Sequence, residues 1–321
     1  MYFKKNKFYH GIVFHHFHDG KFHKKSQGSI SKDDFYKIIK FIGLNNILNA
    51  DEFFLRFKEN KLVEKNVCLT FDDAIKCQVD IALPILEDLK IKSFFFVYSS
   101  IFDGEPDFIE VYRHFRSNYF KNIEEFYTEF YKFIDQNVNH FLEKNKEKIK
   151  PIKEMYPFYS ADDIKFRMVR NRFLNKEEYK NTMFKIFKKK NYNPNNFINN
   201  LFFNKQDLLK LKSLGHTIGL HTHSHPTHIE DLSNQEIENE YLKNRDVLSE
   251  ILKTDKSEIN SMSHPCGSYN NYCLSFLKKL KIEIGFRDNM ICDTQKGMKS
   301  INNSNLEIAR QDHSKIIKMI N

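Results

Sequence analysis

Two short stretches of the chain concentrate groups that can bind a metal ion and move protons. In Thr70-Phe-Asp-Asp73 two carboxylates are adjacent, and in His221-Thr-His-Ser-His-Pro226 two imidazoles, His221 and His225, stand four residues apart. Adjacent carboxylates repel each other unless a cation or a shared proton relieves them. Two histidines at that spacing can reach one ion from a single turn of chain, and one aspartate added to them makes a three-ligand N, N, O set. Such a set keeps a position open for water or substrate, the arrangement of a catalytic metal and not of a structural one. Taken singly, an Asp-Asp pair is most often a turn or a helix start, and a histidine run such as His221 to His228 can be a surface loop. Each stretch here follows its own apolar run, and that shared placement is what marks them as a site.

The elements around them alternate. Gly11-Ile-Val-Phe14 and Val67-Cys-Leu-Thr-Phe71 read as short buried strands, and Ile81, Leu83, Leu86 and Leu89 mark a helix. Phe94-Phe-Phe-Val-Tyr98 returns as a strand. Strand, helix, strand at this spacing predicts a βαβ unit in a parallel sheet covered on both faces. Further on, Leu208, Leu211 and Leu214 mark a helix that Gly215 can end, and Thr217-Ile-Gly-Leu220 is a strand. Ser233-Asn-Gln-Glu236 is a capping-box pattern opening a helix with Ile237, Tyr241, Leu248 and Ile251 on its apolar face. In parallel α/β folds ligands gather where strands end, which is where both polar stretches lie.

Between about 105 and 200 the strand signal fades. Ile123, Phe126, Phe130, Phe133, Val138 and Phe141 recur at helical intervals, and 13 of the 32 phenylalanines fall in this stretch, too many for a loose linker. The expectation is one barrel spanning 1–321 and interrupted by a helical insertion at about 105–200. At roughly 150 residues per domain, 321 residues fit either two domains or one large α/β barrel.

Composition excludes several classes. With 40% hydrophobic and 29% charged residues the chain can bury a core, and its longest apolar runs have the length of strands, so no transmembrane segment is expected. The basic N-terminus is not followed by an apolar signal core, and five cysteines without a C-x-x-C pair read as reduced thiols; both point to a cytoplasmic protein. The net charge of +9 is dispersed among acidic residues. It favours an anionic substrate or a peripheral membrane contact but no specific nucleic-acid site.

These stretches resemble the polysaccharide deacetylases, the NodB-homology or carbohydrate esterase 4 family. Thr70-Phe-Asp-Asp73 is similar to the first motif of that family and His221-Thr-His-Ser-His-Pro226 to its second. Ser263-His-Pro-Cys-Gly-Ser-Tyr269 is similar to the third, and the resemblance covers most of residues 8–101 and 201–316. It implies an α/β fold, a distorted (β/α)7 barrel of the NodB type, carrying zinc or another divalent metal at its mouth. By the family pattern Asp73, His221 and His225 would hold the metal and Asp72 would be the general base. The metal would lower the pKa of a bound water from about 15.7 toward about 7. The backbone N–H of Cys266 would stabilise the oxyanion, and Pro265, Gly267 and Tyr269 would lie along the substrate.

The chain departs from the pattern in two places. The arginine that many members carry in the third motif is absent, with Met262, Ser263 and His264 in that neighbourhood, so the base must be positioned from elsewhere. Arg310, in Glu307-Ile-Ala-Arg-Gln-Asp-His313, resembles a late arginine found in one branch of the family, and His313 is the expected general acid. His15, His16 and His18 end the first strand, with His16 expected at the barrel mouth beside the substrate. The implied reaction is hydrolysis of an N-acetyl group on an amino sugar or glycan precursor. The alternatives are removal of another acyl group, such as formyl, from a lipid- or nucleotide-linked sugar, and a non-catalytic carbohydrate-binding barrel.

Overall fold

The computed structural model describes residues 2–135, 137–155 and 159–320. Seven parallel strands make one sheet: β1 (His10–Phe14), β2 (Val67–Asp72), β3 (Phe94–Val97), β4 (Thr217–Leu220), β5 (Ser261–Ser263), β6 (Ile284–Phe286) and β7 (Arg310–Asp312). Their order is β6-β5-β4-β3-β2-β1-β7. A parallel bridge from Phe286 to Ile308, two residues before β7, brings the two edges together, so the sheet is a nearly closed barrel.

Strand periodicity decides what lies inside. Along β2, Val67, Leu69 and Phe71 belong to the cluster packed under the surrounding helices, whereas Cys68 belongs to an inner cluster with Phe53, Phe94, Phe96, Ile284 and Phe286. Successive side chains on a strand face opposite ways, so Thr70 and Asp72 share the inward face of Cys68. Asp72 thus ends a row that points into the barrel, and it is 2% exposed. Asp73 follows the strand with φ 73°, a left-handed conformation that turns it out of that row.

The covering helices start where side-chain caps allow. Ser31 and Asp34 form a reciprocal capping box at the helix Lys32–Ile42, and Ser233 and Glu236 form the expected one at the helix Asn234–Leu252. Gly215, with φ 85°, follows the helix Lys205–Ser213.

The chain divides into two compact units, the barrel (1–19, 30–107 and 202–321) and a helical unit (20–29 and 108–201). The helical unit has its own core. Phe115 meets Phe187 at 4.6 Å between ring centroids, and Phe166 meets Phe130 at 5.0 Å and Phe126 at 5.4 Å. The buried carboxylate of Asp163 accepts from Tyr127 Oη and Arg167 Nε, each at 2.9 Å. The phenylalanines of the middle stretch therefore pack largely on one another. Segment 20–29 joins them although its sequence carries no helical signal.

Candidate active site

The ends of β2, β4 and β5 bring the first two motifs and the start of the third together. His221 follows β4; its backbone N–H donates to Asn244 Oδ1 at 2.9 Å, and Asn244 Nδ2 donates to Val97 O at 3.0 Å. A single buried amide thus ties the ends of β3 and β4. His225 lies four residues on, with both Thr222 (φ 63°) and His225 (φ 56°) left-handed. Glu240 holds this loop by accepting from the N–H groups of His223 at 2.9 Å and Ser224 at 2.8 Å. Left-handed non-glycine residues cost of order 1–2 kcal/mol each, and they recur at the strand ends as Asp73, Ala74, Thr222, His225 and Cys266. The loops hold that strain because their backbone groups are pinned.

Asp73 Oδ1 lies 3.1 Å from His221 Nε2 and 3.2 Å from His225 Nε2. Both Nδ1 atoms already face acceptors: Ser263 O at 2.8 Å from His221 and Asp107 Oδ2 at 2.8 Å from His225. In the neutral tautomer this arrangement requires, each Nε2 lone pair points at a carboxylate oxygen, and only a cation between them relieves the repulsion. Two donors about 2.0–2.1 Å from one ion at the tetrahedral angle would be about 3.3–3.4 Å apart, within about 0.2 Å of these separations. The donor set therefore fits a divalent metal. With no metal, a proton takes that place: burial opposes charging His225, but Asp73 and Asp107 outweigh it and hold its pKa well above the ordinary value.

Asp72 stands beside this group and is bound differently. Arg310 grips it with two parallel bonds, Nη1 to Oδ1 and Nη2 to Oδ2, each at 2.7 Å, and Arg310 Nη2 also donates to Ser263 Oγ at 2.7 Å. Ser263 Oγ donates to Asp72 Oδ2 at 3.1 Å. Burial raises the carboxyl's pKa, but the Arg310 guanidinium and then His221 pull it below the ordinary carboxylate range, so Asp72 stays ionised. Arg310 reaches it across β1, where its register partner is Gly11. A Cβ on Gly11 would stand 3.0 Å from Arg310 Cγ, so the missing side chain gives the arginine its path.

The remaining expected residues divide. Cys266 follows β5 in a left-handed conformation, and its N–H has no acceptor among the described residues. Pro265 is buried, and a Cβ on Gly267 would collide with the Asp288 carboxylate at 2.4 Å. Tyr269 is buried, stacked on His264 at 4.2 Å with its hydroxyl on Glu307 at 3.0 Å. His313 is 3% exposed, with Nδ1 3.1 Å from Val13 O and its ring stacked on Phe14. His16 is half-buried, its ring beside that of His15. His15 itself faces the site, with Nε2 3.9 Å from Asp73 Oδ2.

Sequence reasoning missed Asn244, Asp107, Ser263 as a partner of Asp72, and Gln78, whose Nε2 donates to Asp72 O at 2.6 Å and His15 O at 3.0 Å. Asn244 had a signal: it sits in the apolar stripe Ile237, Tyr241, Leu248 of its helix, where a polar residue needs a buried partner. Asp107, in Asp103-Gly-Glu-Pro-Asp107, had none.

A family model described as polysaccharide deacetylase matches residues 170–285. The matched stretch contains the second and third motifs, and its description is that of the family they resemble. Among solved structures, the deacetylase PplD of Streptococcus pyogenes, in complex with acetate, is similar at 14% identity and TM-score 0.56, with 98% of each chain covered. IcaB from Ammonifex degensii is similar at 11% identity and TM-score 0.55, covering 98% of this chain and 97% of that one. A de-N-acetylase from Aggregatibacter actinomycetemcomitans is similar at 12% identity and TM-score 0.53, covering 98% and 99%. At these identities the likeness is one of fold, a (β/α)7 barrel of the NodB type. No curated protein matches the sequence. Among the described residues no helix is long and apolar enough to cross a membrane.

Proposed function

We propose that the protein is a metal-dependent de-N-acetylase acting on an amino sugar or glycan precursor. The observation that carries this reading is the pairing of Asp73, His221 and His225, whose donor atoms lie within 4.8 Å of one another, with a second carboxylate, Asp72, kept ionised beside them. Zinc or another divalent ion held there would polarise an acetyl carbonyl and acidify a water. The protein's own groups do the rest. Asp72, gripped by Arg310 and Ser263, takes the proton of the attacking water; its geometry costs nothing to reorganise because both oxygens are already fixed. The backbone N–H of Cys266 would donate to the oxygen that becomes negatively charged.

The leaving amine needs a proton. His313 was the expected donor; it is 3% exposed, with Nδ1 3.1 Å from Val13 O and its ring stacked on Phe14. His15, whose side chain is 31% exposed and whose Nε2 lies 3.9 Å from Asp73 Oδ2, is the more accessible imidazole and takes that role in this reading.

Elemental analysis of wild type beside His225→Ala and Asp72→Asn, with acetate release from N-acetylated glucosamine oligomers, tests the reading. It expects about one divalent ion per chain in wild type and in Asp72→Asn, none in His225→Ala, and acetate release from wild type alone. A wild type that cannot be loaded with any divalent ion would overturn it.

A further inference from the structure

His225 and His221 are held in unlike ways. His221 leaves the end of β4, its backbone is clamped by Asn244, and its Nδ1 faces a neutral carbonyl, Ser263 O. His225 lies past the strand in a left-handed loop, and its Nδ1 faces a carboxylate, Asp107 Oδ2, at 2.8 Å. Asp107 is placed with care. Its backbone N–H donates to Tyr98 Oη at 3.2 Å, and the Tyr98 ring lies against the His225 imidazole at 5.4 Å between centroids. Tyr98 directly follows β3 and is 1% exposed, so the barrel itself fixes the pair. Asp107 is the residue at which the middle segment of the barrel unit ends.

We propose that Asp107 is a positioning residue for the metal ligand His225, so that an Asp107–His225–metal relay completes the site. This rests on the metal reading given above and deepens it. The carboxylate accepts the Nδ1 proton, which leaves the Nε2 lone pair as the only free donor on the ring and stops the ring turning about its side-chain bonds. A charged acceptor also makes Nε2 a stronger base than the carbonyl behind His221 can. Outer carboxylates of this kind are worth roughly 10–100-fold in metal affinity. The effect should be large here because His225, unlike His221, has no strand end to hold it.

The test is metal affinity, read by competition of zinc against a chromophoric chelator, for wild type, Asp107→Asn and Asp107→Ala, with His225→Ala as the floor. Asparagine retains the shape of the side chain and an oxygen that can accept the Nδ1 proton. It loses only the charge. The expected order is wild type tightest, Asp107→Asn about 10-fold weaker and Asp107→Ala weaker again, approaching 100-fold. Thermal unfolding of the chelator-treated Asp107→Asn protein should match that of wild type, which separates positioning from folding. The visible spectrum of the cobalt-loaded variants should also change, since the ligand field at His225 changes. If wild type binds zinc and Asp107→Asn and Asp107→Ala bind it equally tightly, Asp107 does not position His225 and the metal site stands without it. If wild type itself binds no zinc or cobalt, the metal reading fails, and this inference fails with it.

Discussion

Replacing Arg310 with methionine removes the guanidinium that holds Asp72, at a place where the two side chains are 1% and 3% exposed. What remains to Asp72 is the Ser263 hydroxyl at 3.1 Å, with His221 Nε2 at 4.0 Å. Removing one partner of a buried ion pair costs about 3–5 kcal/mol, because the other charge stays desolvated. At roughly 2–4 °C per kcal/mol for a domain of this size, thermal unfolding of Arg310→Met should fall by about 6–20 °C near neutral pH. The pH dependence gives a sharper check. In wild type the Asp72 carboxyl is lowered on folding, so its contribution is present above the unfolded carboxyl's titration and is lost only as pH falls through the lower folded value. In Arg310→Met burial acts on the carboxyl without the guanidinium, and the folded group takes up its proton more readily than the unfolded one. Acid therefore favours the folded variant, and the gap to wild type should narrow between about pH 7.5 and about pH 5. The assay is thermal unfolding of both proteins in excess chelator at those two pH values. Adding Asp72→Asn to Arg310→Met removes the stranded charge and should recover most of the loss. A loss below about 1 kcal/mol near neutrality, or a gap that does not change with pH, would refute the account of Arg310 as the residue that keeps Asp72 ionised.

Two further outcomes follow from the barrel. Gly219→Ala places a Cβ 2.6 Å from Ser261 Oγ and 2.7 Å from the Phe96 ring, so denaturant unfolding should show a loss of about 1–3 kcal/mol. His10 is buried, with Tyr2 Oη 2.6 Å from Nε2 and Phe8 O 2.8 Å from Nδ1, and burial, opposed by the Phe8 carbonyl, lowers its pKa from 6.5 to about 4. Its neutral form contributes stability above the unfolded value, and that contribution drains away as pH falls from about 6.5 toward about 4. His10→Gln removes this slope, so its stability relative to wild type should improve by about 2 kcal/mol between about pH 7.5 and about pH 5 in urea titrations. A constant difference across that range would contradict the burial argument.

What could be read from the sequence and what could not divide along a physical line. The carboxylate pair and the two histidines were legible because the chemistry needs those types at short range and because each pair sits at the end of one strand. Which of the two carboxylates faces inward was not read from the sequence; in the structure the strand alternation puts Asp72 inward with Thr70 and leaves Asp73 beyond the strand. The partner of Asp72 was open to resemblance but not to derivation. Arg310 is 238 residues from Asp72, and nothing local says that β7 lies beside β1 or that Gly11 leaves a passage between them. The sheet order creates that contact, and sheet order is set by the packing of the whole barrel. The same reasoning explains how Asp72 stays ionised with no arginine in the third stretch. Ser263 offers only a small hydroxyl beside Asp72, and Arg310 arrives from β7 to bond both of them. The positive charge beside Asp72 thus comes from β7, a strand remote in sequence from both β2 and β5. Asp107 extends the point to the other side of the site: it precedes a helix with no motif around it, and only the fold shows that its carboxylate ends on the Nδ1 of His225.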